Sequence, residues 1–297
     1  MLIYCNGDSF TAGVGAADHI FPNFPGGFTD AEVKAAGRPI TNFKSIKEQY
    51  YKSKFFTHDH LFGRRDTLEF FDAPAGGLVT VQGNHNVFEK QYTYSKELEL
   101  LDNSIQTINA ARPGASMAGI AHRTIIDLLT LKAQGKKVDL VVIQLTSFSR
   151  YEIFDCNYAQ LINDRPMGNF DHDNETKISN AVLLKYTNND LIVKYLYELS
   201  MIGETVRSIT GRNPLIIDSM NGEFLQMRVT DVQDHVSIVN PSQSEWLKNL
   251  IHHSLFDTAH LMFMSNLAAT LERPFAYDGH YMPNVHKLTA QELVKLL

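Results

Sequence analysis

Four short apolar runs, separated by stretches of helical periodicity, constrain the fold of this 297-residue chain more than any other feature. Unbroken runs of this length are typical of strands that helices cover on both faces of a parallel sheet. The alternation predicts a doubly wound α/β fold with its site at the carboxyl ends of the strands. The predicted strands are Leu2–Cys5, Ile105–Ala110, Val138–Leu145 and Pro214–Ser219, and the predicted helices are Ser95–Asp102, Met117–Lys132, Leu191–Thr210 and His286–Leu297.

Two long segments interrupt this alternation. Residues 16–94 separate the first strand from the second by more than one helix needs, which predicts an insertion at the mouth of the site. Its aromatic residues either line an acyl or sugar pocket or pack a small core of their own. Residues 232–275 form the second segment, with Trp246 and a predicted short strand at His235–Val239. No repeat or low-complexity linker divides the chain, so we expect one decorated domain over residues 1–297.

The first predicted strand ends in a glycine-containing turn that presents Ser9. Gly7 permits backbone angles that are closed to other residues, and Ser9 follows where the next helix would begin. A serine hydroxyl at such a turn is placed for attack on a carbonyl, and the free N–H groups of the helix start favour negative charge nearby. The alternative interpretation is that Asp8 or Ser9 merely caps the helix.

A histidine near the other end of the chain supplies the base that a serine nucleophile needs. His280 lies two residues after Asp278 in the last loop, just before the closing helix. A carboxylate that holds one ring nitrogen leaves the other free to take the serine proton. His286, at the start of the predicted last helix, is expected to be replaceable by Gln with little effect on the rate. The alternative for the loop is a surface turn in which Asp278 bonds its own backbone.

A third element follows the second predicted strand, where a Pro-Gly turn leaves the backbone N–H of Gly114 unobstructed by a side chain. Together, the Gly7-Asp8-Ser9 turn, Gly114 and the loop with Asp278 and His280 resemble the SGNH, or GDSL, hydrolase superfamily. The resemblance implies a three-layer α/β/α fold with flavodoxin-like strand order. It also implies that Ser9 is the nucleophile, that His280 is the base oriented by Asp278, and that the Ser9 and Gly114 amides belong to an oxyanion hole.

The chain departs from the family pattern after the third predicted strand. Thr146 and Ser147 stand where the family usually shows a glycine and an asparagine. A hydroxyl is also a hydrogen-bond donor, so either residue is a candidate for the third donor of the oxyanion hole. The alternative is that both hydroxyls only cap the strand end. The aspartate also lies two residues before the histidine instead of the usual three, a spacing found in some acyl-transfer relatives.

Further polar residues near the predicted strand ends are candidates for substrate binding. These are Asp8, Asn109 and Arg150, although Arg150 is also placed to pair with Glu152. The stretch from Thr146 to Glu152 resembles a subgroup of the superfamily that bacteriophages often encode. A virion-associated protein is therefore an alternative to a cytoplasmic one.

Composition excludes several classes of function. The net charge of −6 without a block of lysine or arginine argues against nucleic acid, because phosphate binding needs clustered positive charge. The sequence has no signal peptide pattern and no apolar run long enough to span a bilayer, so we expect a soluble protein without a membrane partner. Two cysteines, Cys5 and Cys156, make no disulfide framework, and Cys5, inside the first predicted strand, is expected to be a small core residue.

Three histidine and aspartate clusters invite a metal site, but each lacks the convergent ligands and helix motif of a zinc enzyme. We therefore expect no metal and no organic cofactor. The clusters are 58–60, 171–173 and 252–253.

The sequence thus predicts a serine-dependent esterase that hydrolyses an acyl ester, such as an O-acetyl group on a carbohydrate or lipid, through an acyl-enzyme. One alternative transfers the acyl group to a sugar hydroxyl and is an O-acetyltransferase. The other is a non-catalytic carbohydrate-binding or virion structural module with the same fold.

Overall fold

The computed structural model describes residues 1–13, 16, 26–36, 91–112, 115–146, 150–153, 157–162, 165–168, 188–219, 261–276 and 279–297. Contacts group the chain into two compact units, one of Met1–Pro113 with Met264–Leu297 and one of Gly114–Phe263. In chain order the described elements are β1 (Leu2–Asn6), α1 (Ser9–Ala12), α2 (Asp30–Ala36), α3 (Tyr94–Leu101), β2 (Gln106–Asn109), α4 (Met117–Ala133), β3 (Leu140–Leu145), β4 (Arg150–Ile153), β5 (Asn157–Ile162), β6 (Arg165–Gly168), α5 (Asn188–Thr210), β7 (Leu215–Asp218), β8 (Leu261–Phe263), α6 (Met264–Ala268) and α7 (Pro283–Val294).

The first unit is built on the parallel pair of β1 and β2. Their register places Leu2 beside Gln106 and Cys5 beside Asn109. Strand β1 is deeply buried and apolar from Leu2 to Cys5, and Cys5 is fully buried there as predicted. Helix α3 packs on both β2 and α7. The carboxyl ends of β1 and β2 therefore lie side by side.

The second unit contains a parallel set in the order β3, β7, β8. All six residues of β3 are buried, which explains why five of them are apolar. Its one polar residue, Gln144, donates hydrogen bonds to the hydroxyl of Ser219 and the carbonyl of Leu145, so its buried amide is satisfied. Helices α4 and α5 pack against each other.

A second sheet in this unit, β4–β5–β6, is antiparallel and was not predicted from the sequence. Its strands interleave polar and apolar residues, so they lack the apolar runs that mark the parallel strands.

The predicted α/β class with parallel strands is confirmed, and the four predicted strands correspond to β1, β2, β3 and β7. The last helix begins at Pro283 and not at His286, because proline suits the first helical position. The single-domain arrangement stays a prediction, and the strand expected at 235–239 lies outside the described residues. Among the helices that are described, none has the length and apolarity to cross a membrane.

The segment around Gly27 fastens the chain before the last loop to the start of the first unit. Phe28 forms a β-bridge with Phe275, while the Arg273 side chain donates to the Gly27 carbonyl at 2.6 Å and to Glu32 at 3.0 Å. Gly27 has a φ of 113°, and a Cβ there would lie 2.4 Å from the Arg273 carbonyl oxygen. Neither the angle nor the space admits a side chain.

We expect Gly27→Ala to destabilise the protein more than Gly26→Ala. Gly26 has a positive φ of 78° but open space around it, so its replacement costs only backbone strain of about 1–2 kcal/mol. Gly27→Ala adds a backbone overlap to a similar strain. Urea unfolding of both variants measures the difference, and equal midpoints would contradict the close approach.

Candidate active site

Ser9 is the first residue of α1, directly after the turn that ends β1. The Asp8 side chain caps this helix by accepting a hydrogen bond from the Phe10 N–H at 3.1 Å, and Gly13, in the left-handed conformation, ends it. Asp8 is fully buried, so the structure gives it the capping role, and its substrate-binding role stays a prediction. Ser9 itself is only 5% exposed.

His280 lies at the end of a tight turn that local hydrogen bonds close. The Ala276 N–H donates to the His280 carbonyl at 2.7 Å, and the Met282 N–H donates to the Pro274 carbonyl at 2.8 Å. Phe275 and Tyr281 form the β-bridge between these two bonds. The turn therefore holds the His280 backbone on both sides.

The structure brings Ser9 and His280 together across the length of the sequence. The distance from Ser9 Oγ to His280 Nε2 is 2.7 Å, which is a hydrogen bond. The Phe10 ring packs on His280 at 4.8 Å and on Tyr281 at 5.0 Å between ring centres, so it wedges the histidine turn against α1. With a proton on Nδ1, a neutral imidazole in this position accepts the serine hydrogen at Nε2.

A network of hydrogen bonds centred on Asn109 holds α1 in place. The Asn109 amide donates to the Thr11 carbonyl at 2.8 Å and to the Ser95 hydroxyl at 3.0 Å, while its oxygen accepts from the Ala111 N–H. Helix α1 has four residues and cannot satisfy its own last carbonyls. Asn109 thus ties α1 to the end of β2 and the start of α3, and its substrate-binding role is untested.

Buried ionisable groups surround this network. The Thr11 hydroxyl hydrogen-bonds the Tyr94 hydroxyl at 3.1 Å, and burial raises the pKa of Tyr94 well above its ordinary value. Burial also raises the pKa of the Cys5 thiol to about 12. The His286 ring stacks on Tyr94 at 6.2 Å, and burial, helped by the neighbouring His280, lowers the pKa of His286 to about 3. These groups are neutral at ordinary pH.

Several predicted site residues lie elsewhere or outside the described residues. Asp278, Gly114 and Ser147 are among the latter, as are all three histidine clusters. The Thr146 hydroxyl is buried and donates to the Ala115 carbonyl at 3.0 Å. Arg150 begins β4. In the part of the chain that the structure describes, no three His, Cys, Asp or Glu side chains converge on a metal position.

Two residues near the turn that carries Ser9 received no role from the sequence. Phe10 packs on the histidine turn, and the N–H of Arg112 donates to the carbonyl of Gly7 at 3.2 Å. Arg112 stands two residues before Gly114 in the same turn motif. That position was the sequence signal that could have indicated a place near the site.

Comparisons with known proteins give structural likenesses alone. No protein-family model matches the chain, and no curated protein matches it. A member of the lipolytic protein G-D-S-L family from Veillonella parvula is similar over 100% of this chain and 98% of its own, at 10% identity and a TM-score of 0.37. A carbohydrate acetylesterase family member from Sinorhizobium meliloti is similar over 99% and 96%, at 12% identity and a TM-score of 0.37.

A third similar structure is a catalytic mutant of an acetylxylan esterase from Geobacillus stearothermophilus. It is similar over 99% of this chain and 92% of its own, at 11% identity and a TM-score of 0.37.

We expect Asn109→Asp to lower the free energy of unfolding by about 1–3 kcal/mol, the cost of unpairing buried polar groups. Aspartate keeps the shape and still accepts from Ala111, but a carboxylate cannot donate to the Thr11 carbonyl. Ser95→Ala is the matched control, since it removes one acceptor and leaves the bond to Thr11. Urea unfolding measures both variants. A larger loss of unfolding free energy in Ser95→Ala than in Asn109→Asp would contradict the importance of the bond from Asn109 to Thr11.

Stability should fall in acid because of His286. Its pKa is about 3 in the folded protein and about 6.5 when unfolded, so between these values the unfolded chain binds the extra proton. The free energy of unfolding therefore decreases as pH falls from about 6.5 to about 3, by about 1.4 kcal/mol per pH unit from this group.

The His286→Leu variant tests this contribution. It should flatten the fall in urea midpoint between pH 6.5 and pH 4, whereas His122→Gln, at an exposed position of α4, should not. Identical slopes in the wild type and His286→Leu would show that His286 does not drive the acid destabilisation.

Proposed function

We propose that this protein is a serine-dependent esterase of the SGNH type, which hydrolyses an acyl ester through an acyl-enzyme. The observation that carries the proposal is the 2.7 Å hydrogen bond between Ser9 Oγ and His280 Nε2. A nucleophile hydrogen-bonded to a base at a strand-to-helix turn is the arrangement that activates a serine. An O-acetyl ester of a carbohydrate or lipid is the substrate class that the sequence resemblance favours.

The reaction begins when His280 accepts the Ser9 proton while Oγ attacks the ester carbonyl. The resulting imidazolium then gives this proton to the departing alkoxide, which leaves the acyl group on Ser9. Water enters, loses a proton to His280 and attacks the acyl-enzyme, and the same proton returns to Oγ as the acid leaves. Asp278 would hold the second ring nitrogen and stabilise the imidazolium.

The oxyanion of the tetrahedral intermediate needs hydrogen-bond donors, each worth about 10²–10³ in rate. We assign this role to the amides of Ser9 and Gly114 with a hydroxyl as third donor. Of the two candidate hydroxyls, that of Thr146 already donates its hydrogen to Ala115. Ser147 is therefore the better candidate, and Ser147→Ala should slow kcat while Thr146→Val leaves the rate close to normal.

The assay for the proposal is acetate release from para-nitrophenyl acetate. Ser9→Ala and His280→Gln should each lower kcat by several orders of magnitude, because both residues act within one unit. Ser104→Ala is the matched control, since Ser104 is an exposed serine in a turn before β2. Full activity in Ser9→Ala would refute the nucleophile, and no turnover by the wild type would favour a non-catalytic module.

The same assay with added sugar acceptors separates hydrolysis from transfer. A hydrolase releases acetate at a rate that the acceptor does not change. An O-acetyltransferase instead releases little acetate and yields an acetylated sugar in proportion to acceptor concentration.

A further inference from the structure

Arg112 is a positively charged residue beside the turn that precedes Ser9. Its N–H donates to the carbonyl of Gly7 at 3.2 Å, so its backbone lies against the residue two positions before Ser9. It follows β2, at the carboxyl end of a parallel strand. Ligands of open α/β sheets bind at that edge.

Among the described residues, none is recorded as a partner of the Arg112 guanidinium. The side chain is half-buried and its Nε is shielded from solvent, yet in the part of the chain that the structure describes no acceptor bonds this atom and no carboxylate pairs with the group. Leaving a buried donor unpaired is costly, and protein interiors rarely tolerate it without a reason.

Other arginines of the same chain show that partners are available. Arg207 pairs with Glu204, and Arg273 pairs with Glu32. The net charge of −6 means that acidic residues outnumber basic ones. An unpaired arginine at the strand end is therefore not explained by a shortage of carboxylates.

The chemistry of the group indicates what would satisfy it. A guanidinium is a permanent cation whose planar donors match the two oxygens of a carboxylate. We propose that Arg112 binds a carboxylate on the ester substrate, so that the enzyme prefers esters that carry a negative charge. This inference rests on the proposed esterase function, and it assigns Arg112 a role in specificity.

A matched pair of acetyl esters tests the preference. The anionic ester is 4-acetoxybenzoate, and the neutral ester is its methyl ester. The ratio of their kcat/KM values is measured for the wild type, Arg112→Met and Arg112→Lys. Because every variant is compared on the same two esters, the intrinsic difference between the leaving groups cancels. Arg212→Met is the control, since it changes net charge equally at an exposed position.

Arg112→Met should lower the ratio about tenfold to a hundredfold, the range of one charge-assisted hydrogen bond, mainly through the KM of the anionic ester. Arg112→Lys should keep part of the preference, and Arg212→Met all of it. A retained rate on the neutral ester shows that the variant is folded. An unchanged ratio overturns the proposal, and so does an equal fall on both esters, which would give Arg112 a general role instead.

Binding to Ser9→Ala separates failure of this inference from failure of the esterase proposal. Calorimetry compares 4-acetoxybenzoate binding to Ser9→Ala and to the same protein with Arg112→Met added. Tighter binding without the second substitution supports the carboxylate site even if the wild type turns over neither ester. Equal binding, or none to either protein, overturns it.

Discussion

The hydrogen bond between Ser9 and His280 is the interaction on which the account of this molecule depends. It joins side chains 271 positions apart, so every element that fixes either residue contributes to it. Ser9 is fixed by a four-residue helix that is too short to hold itself, and His280 by a hydrogen-bonded turn. The Asn109 hydrogen bonds hold α1 in place, and the Phe10 ring packs the histidine turn against this helix.

Several of the buried groups behind the Ser9–His280 pair are uncharged. Tyr94, Cys5 and His286 are buried behind α1 in uncharged forms, and Asn109 satisfies the backbone of the helix. Neutral buried groups avoid the cost of desolvating charge, while hydrogen bonds among them keep the helix in one place. Arg112 lies beside the turn that precedes Ser9, and among the described residues no carboxylate pairs with its guanidinium.

The parallel strands could be predicted from the sequence because burial on both faces leaves mainly apolar runs, as in β3, where only Gln144 is polar. The Gly-Asp-Ser turn and the last loop were likewise visible as motifs, and the structure places Ser9 and His280 within hydrogen-bonding distance. The antiparallel sheet β4–β5–β6 was missed because its strands carry no such run. The roles of Asn109 and Phe10 depend on contacts between distant segments, which local pattern does not encode.

The most direct test of the Ser9–His280 pair is the site and pH dependence of labelling by a fluorophosphonate, read by mass spectrometry of the digested protein. We expect one adduct, on the peptide that contains Ser9, formed faster as pH rises and almost abolished in His280→Gln. An adduct on another serine, or labelling of Ser9 at an unchanged rate in His280→Gln, would contradict it.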